Sequence, residues 1–174
     1  MPYQPRVLED IAKLRELSTI TANKVRILNI SGNPSNHIEL ELNYPTYYVS
    51  NSSVQKQTVS IIHIDFLGDY PLHSPKIKFL TPIFHPNVYS SNFLCIEGVE
   101  WKPTEFLDLL VKRVIRIICF DPQYTNPKSP ANPAAASWYN ELLRSDPHLF
   151  PTMNLSDAFS QVKVRPQIPF RNIN

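Results

Sequence analysis

The sequence contains three glycines and two cysteines in 174 residues. So few glycines leave little room for turns at positive φ or for loops that wrap a phosphate. Neither GxGxxG nor GxxxxGK[ST] occurs, which excludes nucleotide sites of those types. Two cysteines make no disulfide framework and fall short of the usual ligand set of a structural zinc site. His37, His63, His73 and His148 show no ligand spacing with them, so no metal and no cofactor are expected. No apolar run approaches the ~20 residues of a membrane helix. The opening stretch MPYQPRVLEDIAKLRELS is broken by charges throughout and holds no signal-peptide core. Neither sign of charge dominates: 17 basic residues face 15 acidic ones, for a net charge of +2. A surface built to neutralise nucleic-acid phosphates needs a stronger bias. The expectation is a cytoplasmic protein in a reducing compartment, with no nucleic-acid and no membrane partner.

Proline, by contrast, is abundant, with 17 residues, several in clusters: Pro71 and Pro75, Pro82 and Pro86, then Pro122, Pro127, Pro130 and Pro133. Such clusters hold connecting segments in fixed extended or turning paths. A hydrophobic content of 43% fits an ordinary globular chain. The length suggests one domain, residues 1–174. Val7, Leu8, Ile11, Leu14 and Leu17 have helical spacing. Residues 24–31, 37–43, 57–67 and 76–81 read as strands, with 49–55 (VSNSSVQ) polar and turn-like between the second and third. Glu105–Phe120 places Leu107, Leu110, Val111, Val114 and Ile118 on one helical face. A short helix is expected over Pro133–Leu143 and a weaker helical pattern over Leu155–Val162. The order predicts an α+β fold: an N-terminal helix, a four-stranded antiparallel sheet, a Pro-rich, Cys-containing stretch, a central helix and C-terminal helices.

The segment FHPNVYSSNFLCIEGVEWKP (84–103) places Cys95 ten residues after His85, with Trp101-Lys102-Pro103 beyond. By itself Cys95 can be a buried small side chain, a metal ligand or a nucleophile. Together with YPLHSPKIKF (70–79), SPANPAAASWY (129–139) and PRVLEDIAKL (5–14), this segment resembles the ubiquitin-conjugating enzyme family, with a UBC-like fold. The resemblance covers about residues 5–145 and leaves a divergent extension, about 146–174. Three features depart from the family pattern, one of them a DPQYTNPK loop (121–128) longer than its usual counterpart. NSSVQKQ stands where a glycine-containing turn is usual, and CIEGVEW is a shorter loop.

The resemblance implies that Cys95 accepts ubiquitin or a ubiquitin-like protein from an activating enzyme as a thioester and passes it to an amine. A thiolate is both a good nucleophile and a good leaving group, which suits such a carrier. The implied partners are the modifier, the activating enzyme, a ligase and a protein substrate. Asn87 is implied either as a donor to the oxyanion formed on amine attack or as the clamp of the active-site loop. Ser129 falls where members carry a residue that orients the incoming lysine. Counting from Asp121-Pro122 instead puts Asn126 there. A non-catalytic binding variant of the fold is the alternative function. A cysteine hydrolase using His85 as base is disfavoured, because a histidine between Phe84 and Pro86 braces a turn.

The remaining assignments are simpler. Cys119, inside VIRIICF, is expected to be a buried hydrophobe, and Tyr70 and Phe79 core residues. Trp101 is expected beneath the loop that follows Cys95. Arg6, Lys13 and Arg15 form the basic, solvated side of the first helix, where the resemblance implies contacts with partners. Leu72, Pro103 and Thr104 fall on the family's two ligase-binding loops. Lys112, Arg113 and Arg116 are expected to give the central helix a basic outer face, with Arg113 meeting the loaded modifier.

Overall fold

A computed structural model describes residues 3–95 and 101–160. Helix α1 (Gln4–Ile20) starts with Pro5 in its first turn, where the missing N–H costs nothing, and buries Val7, Ile11, Leu14 and Leu17. Leu8, off that stripe, is exposed. Six strands follow: β1 (Val25–Ser31), β2 (His37–Leu42), β3 (Thr46–Ser50), β4 (Ser53–Gln57), β5 (Ser60–Asp65) and β6 (Lys76–Phe79). The main sheet is antiparallel, in the order β1-β2-β5-β6. Strict alternation in β2 sends Ile38, Leu40 and Leu42 inward and leaves His37, Glu39 and Glu41 on the outer face. A bulge at Leu28 interrupts the β1–β2 register and turns that leucine outward.

The four expected strands are the four strands of the sheet. The stretch VSNSSVQ departs from expectation, because only its centre is a turn. Asn51 and Ser52, at φ 49° and 60°, turn the chain tightly between β3 and β4, which pair as a separate hairpin with Val49 opposite Val54. Both turn residues adopt the left-handed region without glycine, as asparagine does most readily. The third sheet strand therefore begins at Ser60, since Gln57 belongs to β4.

Helix α2 (Leu107–Ile118) packs Leu107, Leu110, Val111, Val114, Ile115, Ile117 and Ile118 on α1 and the sheet. Helix α3 (Pro133–Ser145) is capped by Asn132, whose side chain accepts from the Ala135 N–H. Tyr47, Phe120, Tyr139 and Phe150 build a second core between α3 and the β3–β4 hairpin. Beyond α3 the chain returns over the first core. The Thr152 hydroxyl donates to the Pro45 carbonyl (2.6 Å), and Tyr44 donates to that of Ala158 (2.7 Å). The helical pattern expected at 155–162 forms turns as far as Ser160. There the Asn154 side chain accepts from the Ser156 N–H, the local competition that diverts asparagine from helices. Residues 161 and 162 lie outside the described residues.

Candidate active site

Cys95 follows a miniature hairpin. Val88 bridges Leu94, and the chain reverses through Asn92 at φ 65°. The hairpin is stitched to the edge of the sheet: the Phe79 N–H donates to the Asn92 carbonyl and the Leu94 N–H to that of Ile77. This return brings Tyr89 back beside Cys95, where its hydroxyl donates to Sγ at 3.4 Å. The cysteine's own N–H donates to the Asn87 carbonyl at 2.8 Å. Cys95 is thus a half-exposed thiol whose backbone N–H is tied to Asn87 and whose sulfur accepts from Tyr89. Cys119 is its opposite, with no exposed surface, and burial pushes its thiol up to about 12.

His85 lies beneath this arrangement, fully buried against the Phe120 ring at 4.2 Å. Its Nδ1 accepts from the Asn87 N–H (3.0 Å), which places the neutral ring's proton on Nε2. Nε2 approaches the Ile117 backbone without closing a full hydrogen bond. Burial drives its pKa down to about 3. Its free lone pair is already committed and its ring is out of solvent, so it supplies no general base to Cys95.

The Asn87 side chain is buried and points across to the segment after α2. Its Nδ2 donates to the Tyr124 carbonyl and its Oδ1 accepts from the Asn126 N–H, each at 2.9 Å. The Pro86 carbonyl accepts from the Ala131 and Asn132 N–H groups. Residues 86–87 therefore hold both the thiol's backbone and the 121–132 loop. Of the two roles considered for Asn87, these bonds describe the clamp. Asn126 and Ser129 lie in this clamped loop. Asn126 is half-buried and accepts the Ser129 N–H on Oδ1, while Ser129 is exposed. Residues 96–100, which make up most of the CIEGVEW loop, lie outside the described residues.

Arg6 corrects the expectation of a solvated basic side on α1. Nε pairs with Asp10 (3.1 Å), Nη1 donates to the Pro103 carbonyl (2.5 Å), and Nη2 donates to that of Glu105. Its guanidinium lies 4.7 Å from the Phe106 ring centre, and the residue is buried. It braces the Pro103–Thr104 turn instead of facing a partner. Lys13, paired with Glu16, and Arg15 remain at the surface. Leu72 is 69% exposed, and Pro103 and Thr104 are exposed too. Trp101 joins these two loops, donating from Nε1 to the Pro71 carbonyl at 2.9 Å and lying 5.7 Å from the Tyr70 ring.

The outer side of α2 is also different from expectation. Each cation there has an acid beside it: Lys112 with Asp108 (2.8 Å), Arg113 with Glu105 and Arg116 with Asp121 (both 2.5 Å). All three cations are half-buried. The helix presents ion pairs, not an open basic face. Asp108 lies one helical turn before Lys112, but Glu105 and Asp121 lie just beyond the helix ends, where periodicity alone does not show them.

Tyr89, Asp10, Asp121 and Arg116 were not singled out as site residues from the sequence. For Tyr89 a signal exists, because VYSSNFL is a hairpin pattern around Ser-Ser-Asn that folds the phenol towards Cys95. The two aspartates become conspicuous only once their burial is known.

A twisted antiparallel sheet backed by helices, with a half-exposed thiol after a braced His-Pro-Asn turn, defines a UBC fold. The family model described as ubiquitin-conjugating enzyme matches residues 15–148, and the chain belongs to that family. Among curated relatives, ubiquitin-conjugating enzyme E2 2 of Mycosarcoma maydis is 39% identical over 83 residues, 47% of this chain and 43% of that protein. Ubiquitin-conjugating enzyme E2 1 of Caenorhabditis elegans is 32% identical over 82 residues, 46% of this chain and 41% of that protein. The matched stretch thus spans less than half the length of either relative. A Toxoplasma gondii ubiquitin conjugating enzyme E2 domain has the same fold, with a TM-score of 0.58 and 22% identity, over 91% of this chain and 99% of the other. A putative ubiquitin conjugating enzyme from Trypanosoma cruzi gives 0.58 and 20%, over 85% and 94% of the two chains.

Proposed function

We propose that this chain is an active conjugating enzyme, and that Cys95 carries ubiquitin or a ubiquitin-like protein as a thioester. The observation that carries this reading is the setting of the thiol. Cys95 is reachable by solvent, its backbone is fixed by Asn87, and a phenol hydroxyl donates to its sulfur. In the first step the Cys95 thiolate attacks the modifier's C-terminal carbonyl on the activating enzyme. One C–S bond forms, the other breaks, and the activating enzyme's sulfur leaves as thiolate. ATP is consumed upstream, in keeping with a chain that lacks both phosphate-loop motifs. In the second step a neutral lysine amine attacks the thioester carbonyl. The C–N bond forms, the sulfur leaves as thiolate, and the amine's proton passes to solvent.

Asn87 ties the 121–132 loop to the segment whose carbonyl holds Cys95, and on this reading exposed Ser129 meets the amine from that loop. Leu72 with Pro103–Thr104 offers the apolar contact for a ligase, and Lys13 a charged one on α1. The test is incubation with an activating enzyme, ATP and the modifier. A higher-mass adduct removed by reducing agent is expected on the wild type and on Cys119→Ser. Cys95→Ser is expected to give an adduct that survives reduction, because an alkoxide is the poorer leaving group. No adduct with any activating enzyme–modifier pair would leave a binding module, and an adduct on Cys119 would overturn the assignment.

A further inference from the structure

We infer that Arg116 is a positioning residue for the amine-transfer step, acting on Cys95 through the loop that Asn87 clamps. The inference rests on the function proposed above. Arg116 stands in the last turn of α2, and its side chain is one-third exposed. From there the guanidinium makes three contacts with the segment that follows. Nε donates to Asp121 Oδ2 at 2.5 Å, Nη2 donates to Gln123 Oε1 at 3.2 Å, and Cζ lies 4.9 Å from the Tyr124 ring centre. The Asp121 carboxylate is only 3% exposed. Its second oxygen accepts the Gln123 N–H at 3.0 Å, and its carbonyl accepts the Tyr124 and Thr125 N–H groups. Residues 121–125 are therefore wound around Asp121, and Arg116 contacts both that aspartate and the Tyr124 ring.

The far side of the same turn is what Asn87 holds. The Tyr124 carbonyl accepts from Asn87 Nδ2, and the Asn87 carbonyl accepts from the Cys95 N–H. The route from Arg116 to the thiol thus runs through Asp121 and Tyr124 to Asn87, each link a bond or ring contact. Removing the guanidinium loosens one side of the loop and leaves Cys95 and its hairpin untouched. Acceptance of the modifier from the activating enzyme does not use this loop, whereas aminolysis needs it to position the incoming amine. Small misplacement of reacting groups is costly to rate even when the origin is remote.

The experiment uses Arg116→Met, which keeps the stem's packing on Tyr124 and removes the charge and the donors, and Arg116→Lys, which keeps only the charge. Single-turnover charging, discharge onto free lysine and discharge onto water are measured separately, with a melting curve for each variant. For Arg116→Met the expected result is charging at the wild-type rate, with aminolysis slower by about tenfold or more. Hydrolysis should be unchanged, so that the aminolysis-to-hydrolysis ratio falls and the apparent KM for lysine rises. Arg116→Lys should lie between the two. Equal loss of charging and discharge, or a parallel fall in hydrolysis and aminolysis, would mark Arg116 as support for the fold and overturn the inference. Wild-type aminolysis in Arg116→Met would overturn it as well. A wild-type chain that never charges would instead overturn the proposed function, and this inference with it.

Discussion

The carboxylate of Asp10 on α1 accepts a hydrogen bond from the backbone N–H of Leu107, the first residue of α2, at 2.7 Å. Phe106, the residue before the helix, offers no side-chain cap, so the cap comes from another helix, 97 residues away in the chain. The other oxygen of Asp10 takes the Tyr70 hydroxyl and Arg6 Nε. Burial pushes this carboxyl up, against the pull of Tyr70, Leu107 and Arg6. One buried acid thus joins α1, the loop after β5, and the start of α2.

Asp10→Ala leaves the Arg6 charge, the Tyr70 hydroxyl and the Leu107 N–H without their common acceptor. Breaking a buried pair from one side costs about 3–5 kcal/mol. Urea unfolding should show the free energy of unfolding falling by about that amount, through a lower midpoint at an unchanged slope. Because Arg6 also braces Pro103 and Glu105, the 101–106 segment should lose protection from hydrogen exchange in the same variant.

His85 gives a pH dependence of definite sign. Its folded-state pKa of about 3 lies below the ordinary 6.5, so the unfolded chain binds the proton first. Its contribution to stability is complete above pH 6.5 and is lost progressively as the pH falls towards 3. The slope for one such group is about 1.4 kcal/mol per pH unit. His85→Asn keeps an acceptor for the Asn87 N–H and removes the titration. Its stability, measured by denaturant at several pH values, should fall less steeply than the wild type across that window. Parallel curves would mean that His85 is not buried as described.

Much of the fold and part of the site were legible because their signals are local. The spacing from His85 to Cys95, the stripe Leu107–Ile118 and the alternation of β2 each express one short-range period. The burial of Arg6 is not of that kind. An arginine four residues before an aspartate looks like a surface pair until Pro103 and Glu105, far along the chain, close over it. The β3–β4 hairpin was hidden for another reason. Its turn, Asn51–Ser52, uses left-handed residues other than glycine, and its strands carry polar side chains that do not alternate cleanly. Two of the three ion pairs on α2 depend on Glu105 and Asp121, which lie outside the helix and are aimed back at it by the turns at either end.

Asn87 should separate the two chemical steps through its clamp. Asn87→Ala removes the bonds to Tyr124 and Asn126 but leaves the backbone carbonyl that holds Cys95. Charging should be nearly retained, and discharge onto lysine should drop by roughly 100-fold, the scale for losing a positioned polar group at a reacting centre. The Asn126 amide, which has lost its acceptor, should exchange faster with deuterium. Slow discharge with unchanged exchange at Asn126 would point to direct contact with the oxyanion instead of the clamp.

Phe120 closes α2 in an unusual way. It follows the last helical turn at φ 58°, with its N–H donating to the Ile117 carbonyl and the Asp121 N–H to that of Arg116. That is the Schellman arrangement, whose left-handed position normally belongs to glycine. A side chain there costs about 1–2 kcal/mol in the backbone. The ring repays it by filling the second core, stacked on Tyr139 at 5.7 Å and packed on Phe150 at 4.8 Å, beneath His85. Phe120→Ala loses the ring, about 3–5 kcal/mol, and keeps the strain. Phe120→Gly loses the same ring and is released from the strain. Both variants should be less stable than the wild type, but the glycine variant should be the more stable of the two by about 1 kcal/mol, the reverse of their order inside a helix. Denaturant midpoints of the pair decide the matter: an alanine variant equal to or better than glycine would mean that residue 120 does not hold the left-handed conformation that seats its ring under His85.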